Sequence, residues 1–227
     1  FSEYINIEPS RILYDDSNDI YFTLTNTNKT FYDAYVELVP VDDRDNPIIS
    51  PQRITSKFST LTTSLSWTKG YTEADSPYLQ RLYECLGDKK EIECYIQVGY
   101  CPAAGKPYTI STAQVTVTLV EYTYNGIEAQ LYPEIQCQIE DTNQLTYKLT
   151  GNPHRIVRYV SNAKATMSAT GKKGAQIVIQ KILTSNAQIN NTSYTFEGIS
   201  DGNIHFYARD SRGYASTVAF DDMVFLE

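Results

Sequence analysis

The stretch IHFYARDSRG, residues 204–213, decides the fold class of this chain. Apolar and polar residues alternate at its start, which places Ile204, Phe206 and Ala208 on one face of an extended backbone. A period of two is typical of a β-strand with one buried face. The Asp-Ser-Arg-Gly segment at 210–213 then supplies residue types that favour a hairpin turn. The stretch therefore predicts a strand that ends in a tight turn.

Segments of the same kind recur through the rest of the chain. Residue types that strands favour are frequent, with 19 Tyr against only two Met. Clusters of Asn, Asp and Pro separate these segments and are typical of turns. We expect an all-β chain, with strands over residues 20–25, 34–39, 92–98, 113–119, 163–170, 176–183, 192–197, 204–210 and 215–220.

One segment departs from the strand pattern. Between residues 77 and 86 the apolar residues are spaced three and four apart, which is the stripe of a short amphipathic helix. Ser76 and Pro77 suit the first positions of a helix, and Gly87 suits its end. The sequence therefore predicts one short helix in the first half of the chain, with a buried face formed by Leu79, Leu82, Tyr83 and Leu86.

The length of 227 residues suits two domains. The strand pattern gives way near residues 122–126, where we place the boundary. Residues 1–121 hold 10 Lys and Arg against 17 Asp and Glu, whereas residues 122–227 hold 9 against 10. Closely spaced strands with Gly-containing turns in the second half are typical of an immunoglobulin-like sandwich. We expect two β-sandwich domains, 1–121 and 122–227, of which the second is immunoglobulin-like.

Charge and hydropathy exclude several classes of function. The net charge of −8 disfavours binding that depends on neutralising many phosphates, so we expect no nucleic-acid partner. No apolar run is long enough for a membrane-spanning helix, so we expect no membrane insertion. The chain begins Phe-Ser-Glu-Tyr, without an initiator Met or a signal peptide, and we expect a fragment or a processed product.

The chain lacks the sequence patterns of common catalytic and metal sites. A nucleophile elbow, a zinc-protease motif and a P-loop are all missing. The cysteines are too widely spaced for a zinc knuckle, and we expect buried free thiols. Acidic clusters lack the spacing of a calcium loop and predict solvated turns. We expect no enzyme, no metal and no cofactor; the residues weighed are Cys85, Cys94, Cys101, Cys137, Asp15, Asp16, Asp19, Asp42, Asp43, Asp45, Asp221 and Asp222.

A few further residues invite a functional interpretation but favour a structural one. His205 alternates within a strand pattern, and His154 follows Asn152 and Pro153 in a loop. The Thr-Gly-Lys-Lys-Gly segment at 170–174 predicts a hairpin tip. The lone Trp67 predicts a core anchor of the first domain.

Several short motifs, in order along most of the chain, resemble minor structural proteins of siphoviruses that infect Gram-positive bacteria. In the first half these are Ser-Leu-Ser-Trp-Thr at 64–68, the helix at 79–86, and Glu-Cys-Tyr-Ile-Gln-Val at 93–98. The chain departs from the pattern at 69–71, where Lys-Gly-Tyr replaces a proline-rich continuation. In the second half the matching segments are 133–135, 149–151, 161–165, 173–177 and 202–213. Within the last of these, Ala-Arg-Asp-Ser-Arg-Gly at 208–213 is similar to the final hairpin of virion and adhesin immunoglobulin-like domains.

The resemblance implies a non-enzymatic virion protein of the tail or baseplate, acting as a spacer or as a host-surface adhesion module. Other virion proteins would be its partners, an oligomer would form within the assembled tail, and host cell-wall glycan is a further candidate partner. For adhesion, basic and aromatic loop tips would meet a negatively charged wall polymer. The candidate residues for that contact are Lys172, Lys173, Arg209, Arg212 and Tyr214.

Three alternatives stay open. A carbohydrate-binding module of a bacterial cell-wall protein would use exposed tyrosines, since aromatic rings pack on the apolar faces of sugars. A bacterial surface adhesin would need an export signal in the full-length gene. A glycoside hydrolase fragment would need two carboxyl groups within hydrolytic distance of each other.

Overall fold

The computed structural model describes residues 5–6, 11–14, 19–26, 33–54, 60–66, 77–101, 103–119, 121, 123–124, 127–128, 130–200, 202–219 and 224–226. Two compact units, 1–129 and 130–227, divide the chain. The division falls after Ala129 rather than after the expected Glu121, because the strands at Thr123–Tyr124 and Ile127–Glu128 pair with each other as a hairpin of the first unit.

The first unit is built from strands and one helix. The strands are β1 (Ile5–Asn6), β2 (Arg11–Tyr14), β3 (Asp19–Asn26), β4 (Asp33–Pro40), β5 (Ile49–Ile54), β6 (Thr60–Ser66), β7 (Glu91–Cys101), β8 (Thr109–Leu119), β9 (Thr123–Tyr124) and β10 (Ile127–Glu128), and the helix is α1 (Pro77–Leu86).

Two sheets form the sandwich of the first unit. One has the order β1-β3-β6 and the other the order β2-β8-β7-β4-β5. Neighbours are antiparallel except β2 and β8, which are parallel. The alternation read from the sequence places apolar side chains of the larger sheet in the core, where Val36, Leu38, Ile96, Val115 and Val117 are buried.

The helix α1 has the predicted extent and the predicted buried face. Leu79, Leu82, Tyr83 and Leu86 are all buried. Gly87 ends the helix in the left-handed region at φ +56°, and its backbone N–H donates to the Tyr83 carbonyl at 3.0 Å. Ser76 and Trp67 lie outside the described residues.

The second unit contains the strands β11 (Glu134–Asp141), β12 (Arg155–Val157), β13 (Ala163–Thr170), β14 (Ile177–Leu183), β15 (Gln188–Ile189), β16 (Ser193–Phe196), β17 (His205–Asp210), β18 (Ala215–Ala219) and β19 (Val224–Leu226), and the helix α2 (Gln144–Thr150).

The sheets of the second unit follow the immunoglobulin-like arrangement. One sheet has the order β11-β13-β16 and the other the order β15-β14-β17-β18, so that the chain crosses between the two layers after β13, after β15 and after β16. The stretch 204–213 behaves as its alternation predicts, with Ile204, Phe206 and Ala208 buried in the core between the sheets. Burial of a ring such as Phe206 stabilises the fold by about 1.5–3 kcal/mol. The all-β, two-sandwich prediction is confirmed.

The helix α2 and the strand β12 form an excursion between β11 and β13 that the periodicity does not predict. The helix is short, and Thr146 is its only buried residue. Its ends do carry local signals, because the Asn143 side chain accepts from the Leu145 N–H and Gly151 adopts the left-handed region at φ 66°.

The loop with Lys172 and Lys173 is not a hairpin tip, which corrects the sequence prediction. The strands before and after it, β13 and β14, belong to different sheets, so this loop carries the chain across the sandwich. A close approach of backbone makes the crossing possible. A Cβ atom on Gly171 would lie 2.0 Å from the carbonyl oxygen of Ala175.

We predict that Gly171→Ala lowers the free energy of unfolding of the second unit by about 3 kcal/mol, because the loop backbone must move to admit the methyl group. Gly151→Ala is the control, since Gly151 has open space around it and only its positive φ opposes a side chain. We expect about 1 kcal/mol for the control. Urea titration followed by the NMR signals of β13 and β14 measures both values, and equal losses would contradict the prediction.

Candidate functional site

The two loops that carry the predicted site residues meet at one end of the second unit. The backbone N–H of Ser211 donates to the Gln176 carbonyl at 2.7 Å, and the Gln176 N–H donates to the Ser211 hydroxyl at 3.1 Å. The same end receives the chain as it enters the unit, since the Ser216 hydroxyl donates to the Pro133 carbonyl at 2.6 Å. We call it the proximal end.

Arg212 holds the two loops of the proximal end together and is buried, with only 4% of its surface exposed. Its guanidinium donates to the carbonyl oxygens of Lys172 and Lys173 at 3.2 and 2.6 Å. Asp210 shapes the turn on the other side, because one of its carboxylate oxygens accepts from the backbone N–H groups of Arg212 and Tyr214. The guanidinium therefore holds one loop against the other instead of facing solvent.

The other candidate side chains are divided between internal contacts and solvent. The Lys172 ammonium donates to the Glu134 carboxylate at 2.5 Å, which lowers the pKa of Glu134. The Tyr214 ring meets the Tyr132 ring edge-on, with centroids 5.4 Å apart. Arg209 is exposed on β17. The proximal end thus presents fewer outward cations than the sequence suggests, and polymer binding there stays a prediction.

The opposite end of the second unit, the distal end, is organised around the buried carboxylate of Asp141. One of its oxygens accepts from the backbone N–H groups of Asn143 and Asn162 at 2.9 and 3.2 Å. The other accepts from the hydroxyls of Thr146 and Ser161. The four donors come from two segments, the start of α2 and residues 161–162, and together they satisfy the buried carboxylate and fix the excursion to the sandwich.

The excursion displays large apolar side chains to solvent. Leu145 and Leu149, one turn apart on α2, are 73% and 82% exposed. Tyr159 and Val160 are exposed in the turn after β12. The two groups are joined, because the Asn143 side chain caps α2 and also donates to the Val160 carbonyl at 2.9 Å. We call these four residues the distal apolar patch.

Tyr159 in this patch has an uncommon backbone conformation. Its φ is 64°, in the left-handed region that a bulky residue rarely adopts. Its backbone N–H donates to the Ile199 carbonyl at 2.9 Å, which holds the turn in place. Strain of this kind concentrates at functional positions.

A chain of hydrogen-bonded polar side chains lies on the larger sheet of the first unit. The Gln97 amide donates to the Glu37 carboxylate at 2.6 Å, across the directly paired strands β7 and β4. The Arg44 guanidinium donates to the Gln97 oxygen at 2.9 Å and lies over the Tyr95 ring. Both Glu37 and Gln97 are buried, and this burial raises the pKa of Glu37.

The remaining sequence candidates have structural surroundings. Asp43 accepts from Asn46 at 2.7 Å and pairs with Arg81 at 3.0 Å, as a turn residue does. The His154 ring nitrogen Nδ1 lies 2.8 Å from the Ile139 carbonyl oxygen. His205 lies within β17 and pairs with Ala219 of β18. The acidic residues at 15–16 and 221–222 lie outside the described residues.

Metal-ligating residue types do not cluster in the part of the chain that the structure describes, where no three His, Cys, Asp or Glu side chains are placed to hold an ion. The four cysteines are free thiols, and burial raises the pKa of Cys94 to about 12. Such a thiol is a packing residue, since the thiolate is the reactive form. None of the described helices is long and apolar enough to cross a membrane.

Comparison with known proteins finds no matching family model and no match among curated proteins. Solved structures that resemble the chain include the YadV chaperone, with 14% identity, a TM-score of 0.29, and coverage of 95% of this chain and 99% of that chain. The complex of the CsuC chaperone and the CsuE tip adhesion subunit from Acinetobacter baumannii matches with 13% identity, a TM-score of 0.29 and coverage of 98% and 99%. A protein of unknown function from Porphyromonas gingivalis W83 matches with 9% identity, a TM-score of 0.26 and coverage of 95% and 99%.

We predict that Arg212→Ala lowers the free energy of unfolding of the second unit by about 2 kcal/mol, because two buried carbonyl groups lose a charged donor. Arg209→Ala is the matched control, since this exposed arginine lies three residues away in the same hairpin. Native-state hydrogen exchange of the β17 amides measures the difference. Equal exchange rates in the two variants would show that the hydrogen bonds of Arg212 contribute nothing to the stability of the second unit.

We predict that the stability of the first unit responds to the charge on Glu37. The pKa of this group is raised by burial above its ordinary value of 4.5, so the folded state binds the proton more tightly. The resulting stabilisation is present below pH 4.5 and is lost as the pH rises through the raised pKa. Glu37→Gln cannot ionise and so does not lose this stabilisation as the pH rises. The free energy of unfolding of the variant, relative to that of the native chain, therefore increases from acid to neutral pH.

Urea unfolding followed by the fluorescence of the lone tryptophan, which belongs to the first unit, measures this pH dependence. Glu91→Gln, at an exposed position, is the control for a change of net charge. A stability difference between Glu37→Gln and the native chain that stays constant with pH would contradict the prediction.

Proposed function

We propose that this chain is a non-enzymatic structural protein of a phage virion, in the tail or baseplate, where it acts as a spacer bound to other virion proteins. The distal apolar patch is the observation that carries the proposal. The order of short motifs that resemble siphovirus structural proteins supports the choice of particle.

An exposed apolar patch favours a protein partner. Leu145, Leu149, Tyr159 and Val160 present hydrocarbon and aromatic surface to water on two segments that the hydrogen bond from Asn143 to Val160 joins. Burying one leucine side chain in an interface stabilises the complex by about 1.5–3 kcal/mol. Clusters of this type mark interfaces more often than isolated exposed residues do.

The rigidity of the excursion supports the same function. The Asp141 carboxylate ties α2 to the segment at 161–162, and β12 is paired in parallel with β19. A surface that is held in one conformation loses little conformational entropy on binding. The distal patch is therefore preorganised for a partner of complementary shape.

A host-surface adhesion module is the second candidate, with the outward-facing Arg209 in its favour. Lys172 and Arg212 argue against a large cationic face at the proximal end, because Lys172 pairs with Glu134 and Arg212 is buried against the loop that carries Lys172 and Lys173. We therefore rank the spacer above the adhesion module.

We predict that Leu145→Ser combined with Leu149→Ser reduces incorporation of the chain into virions by at least about tenfold, because two apolar anchors are lost. Purified particles from phage that carries the variant gene are probed with a labelled antibody and examined by electron microscopy. Val178→Ser is the control, since Val178 is 56% exposed on β14, away from α2.

Two results would overturn parts of this proposal. Absence of the native chain from purified virions would exclude a virion component. Normal incorporation of the double variant would exclude the distal patch as the attachment surface. Circular dichroism of both variants establishes that they are folded.

A further inference from the structure

A cleft of about 500 Å³ opens along one side of the second sandwich. The turn between β14 and β15, at Thr184–Ala187, forms one wall, and the edge strand β16 with the segment 197–200 forms the other. Because β15 and β16 belong to different sheets, the cleft gives access to the space between the two layers. Its volume is in the range of small-molecule sites.

An oriented aromatic ring forms the apolar wall of the cleft. Tyr194 and Phe196 pair across the sheet with the fully buried Ala165 and Ala163, so both rings lie on the inner face of β16. Phe196 packs against the core, and Tyr194 meets it edge-on with ring centroids 4.8 Å apart. Tyr194 is nevertheless 43% exposed, so its ring is held by its neighbour and open to the cleft.

Polar groups line the rest of the cleft. Asn186 brings an amide with donors and an acceptor, and Glu197 brings a carboxylate with acceptors only. The Thr184 hydroxyl accepts from the backbone N–H groups of Asn186 and Ala187 at 3.3 and 3.0 Å. These bonds hold the turn that carries Asn186 in a defined position opposite β16.

The composition of the walls selects among ligand classes. No lysine or arginine is among the described residues of the cleft, and Glu197 disfavours an anion. A wholly apolar ligand would leave the amide and the carboxylate without partners. A pyranose ring presents C–H groups on one face and hydroxyls on its rim, which matches an aromatic wall beside an amide and a carboxylate.

We propose that this cleft binds a neutral saccharide, with the sugar ring on Tyr194 and its hydroxyls on Asn186 and Glu197. The proposal goes beyond a spacer function. The cleft adjoins the distal patch, because the Tyr159 backbone N–H donates to the carbonyl of Ile199, which lines the cleft. The virion experiment above changes Leu145 and Leu149 and the saccharide experiment below changes Tyr194 and Glu197, so each can fail alone.

Titration of the isotope-labelled full chain with single sugars tests the proposal. The probes are d-glucose, d-galactose, N-acetyl-d-glucosamine and l-rhamnose at millimolar concentration, and the readout is the amide NMR shifts of the second unit. We expect saturable shifts at Thr184, Asn186, Tyr194 and Glu197 with at least one sugar. Tyr194→Ala raises the Kd by about five- to tenfold, because the stacking surface is lost.

Matched variants separate binding from loss of structure. Tyr147→Ala removes a tyrosine of similar exposure, 45%, from α2 and leaves the Kd unchanged. Tyr194→Phe keeps the aromatic ring, so we expect it to retain sugar binding. It serves as the second test of the stacking contact should Tyr194→Ala fail to fold. Glu197→Gln keeps an acceptor and weakens binding of a neutral sugar only a few-fold.

Three outcomes would overturn the proposal. The first is the absence of shifts with all four sugars. The second is a set of saturable shifts that map away from the cleft. The third is a response to tetramethylammonium in place of sugars that disappears in Glu197→Gln, which would identify the cleft as a cation site.

Discussion

The buried carboxylate of Asp141 is the constraint on which the arrangement of the second unit depends. A charged group excluded from water must find donors for both of its oxygens, and here two backbone N–H groups and two hydroxyls supply them. Those donors come from the start of α2 and from the segment before β13. Because all of them must converge on one group, an excursion of more than twenty residues is anchored near both of its ends.

The two ends of this unit differ in the way they use their side chains. At the proximal end Arg212 donates to carbonyl groups and Lys172 donates to a carboxylate of the same unit, so both cations stabilise the fold. At the distal end the polar groups are turned inward and the leucines outward. Apolar surface is the more costly of the two to leave in water, which is why the distal end is the more informative about function.

Sequence patterns predicted most of the fold, because alternation and the spacing of Leu79, Leu82 and Leu86 report directly on burial. The helix α2 escaped prediction because Leu145 and Leu149 face solvent, so no buried stripe exists to read. Alternation also cannot identify which strand pairs with which, and the Lys172–Lys173 loop was therefore assigned to a hairpin. The sequence names Lys172, Lys173 and Arg212 as candidate contact residues but does not show that Arg212 is buried, because this burial depends on contacts with a loop forty residues away.

The parallel pairing of β2 with β8 has a mechanical consequence. The chain enters β2 and leaves β8 at opposite ends of this pair, so tension along the chain pulls the two strands in opposite directions along their lengths. Their hydrogen bonds are then loaded in shear, all at once, instead of opening one after another as in a hairpin that is pulled apart at its ends. A domain with this geometry resists stretching until the hydrogen bonds between β2 and β8 break together.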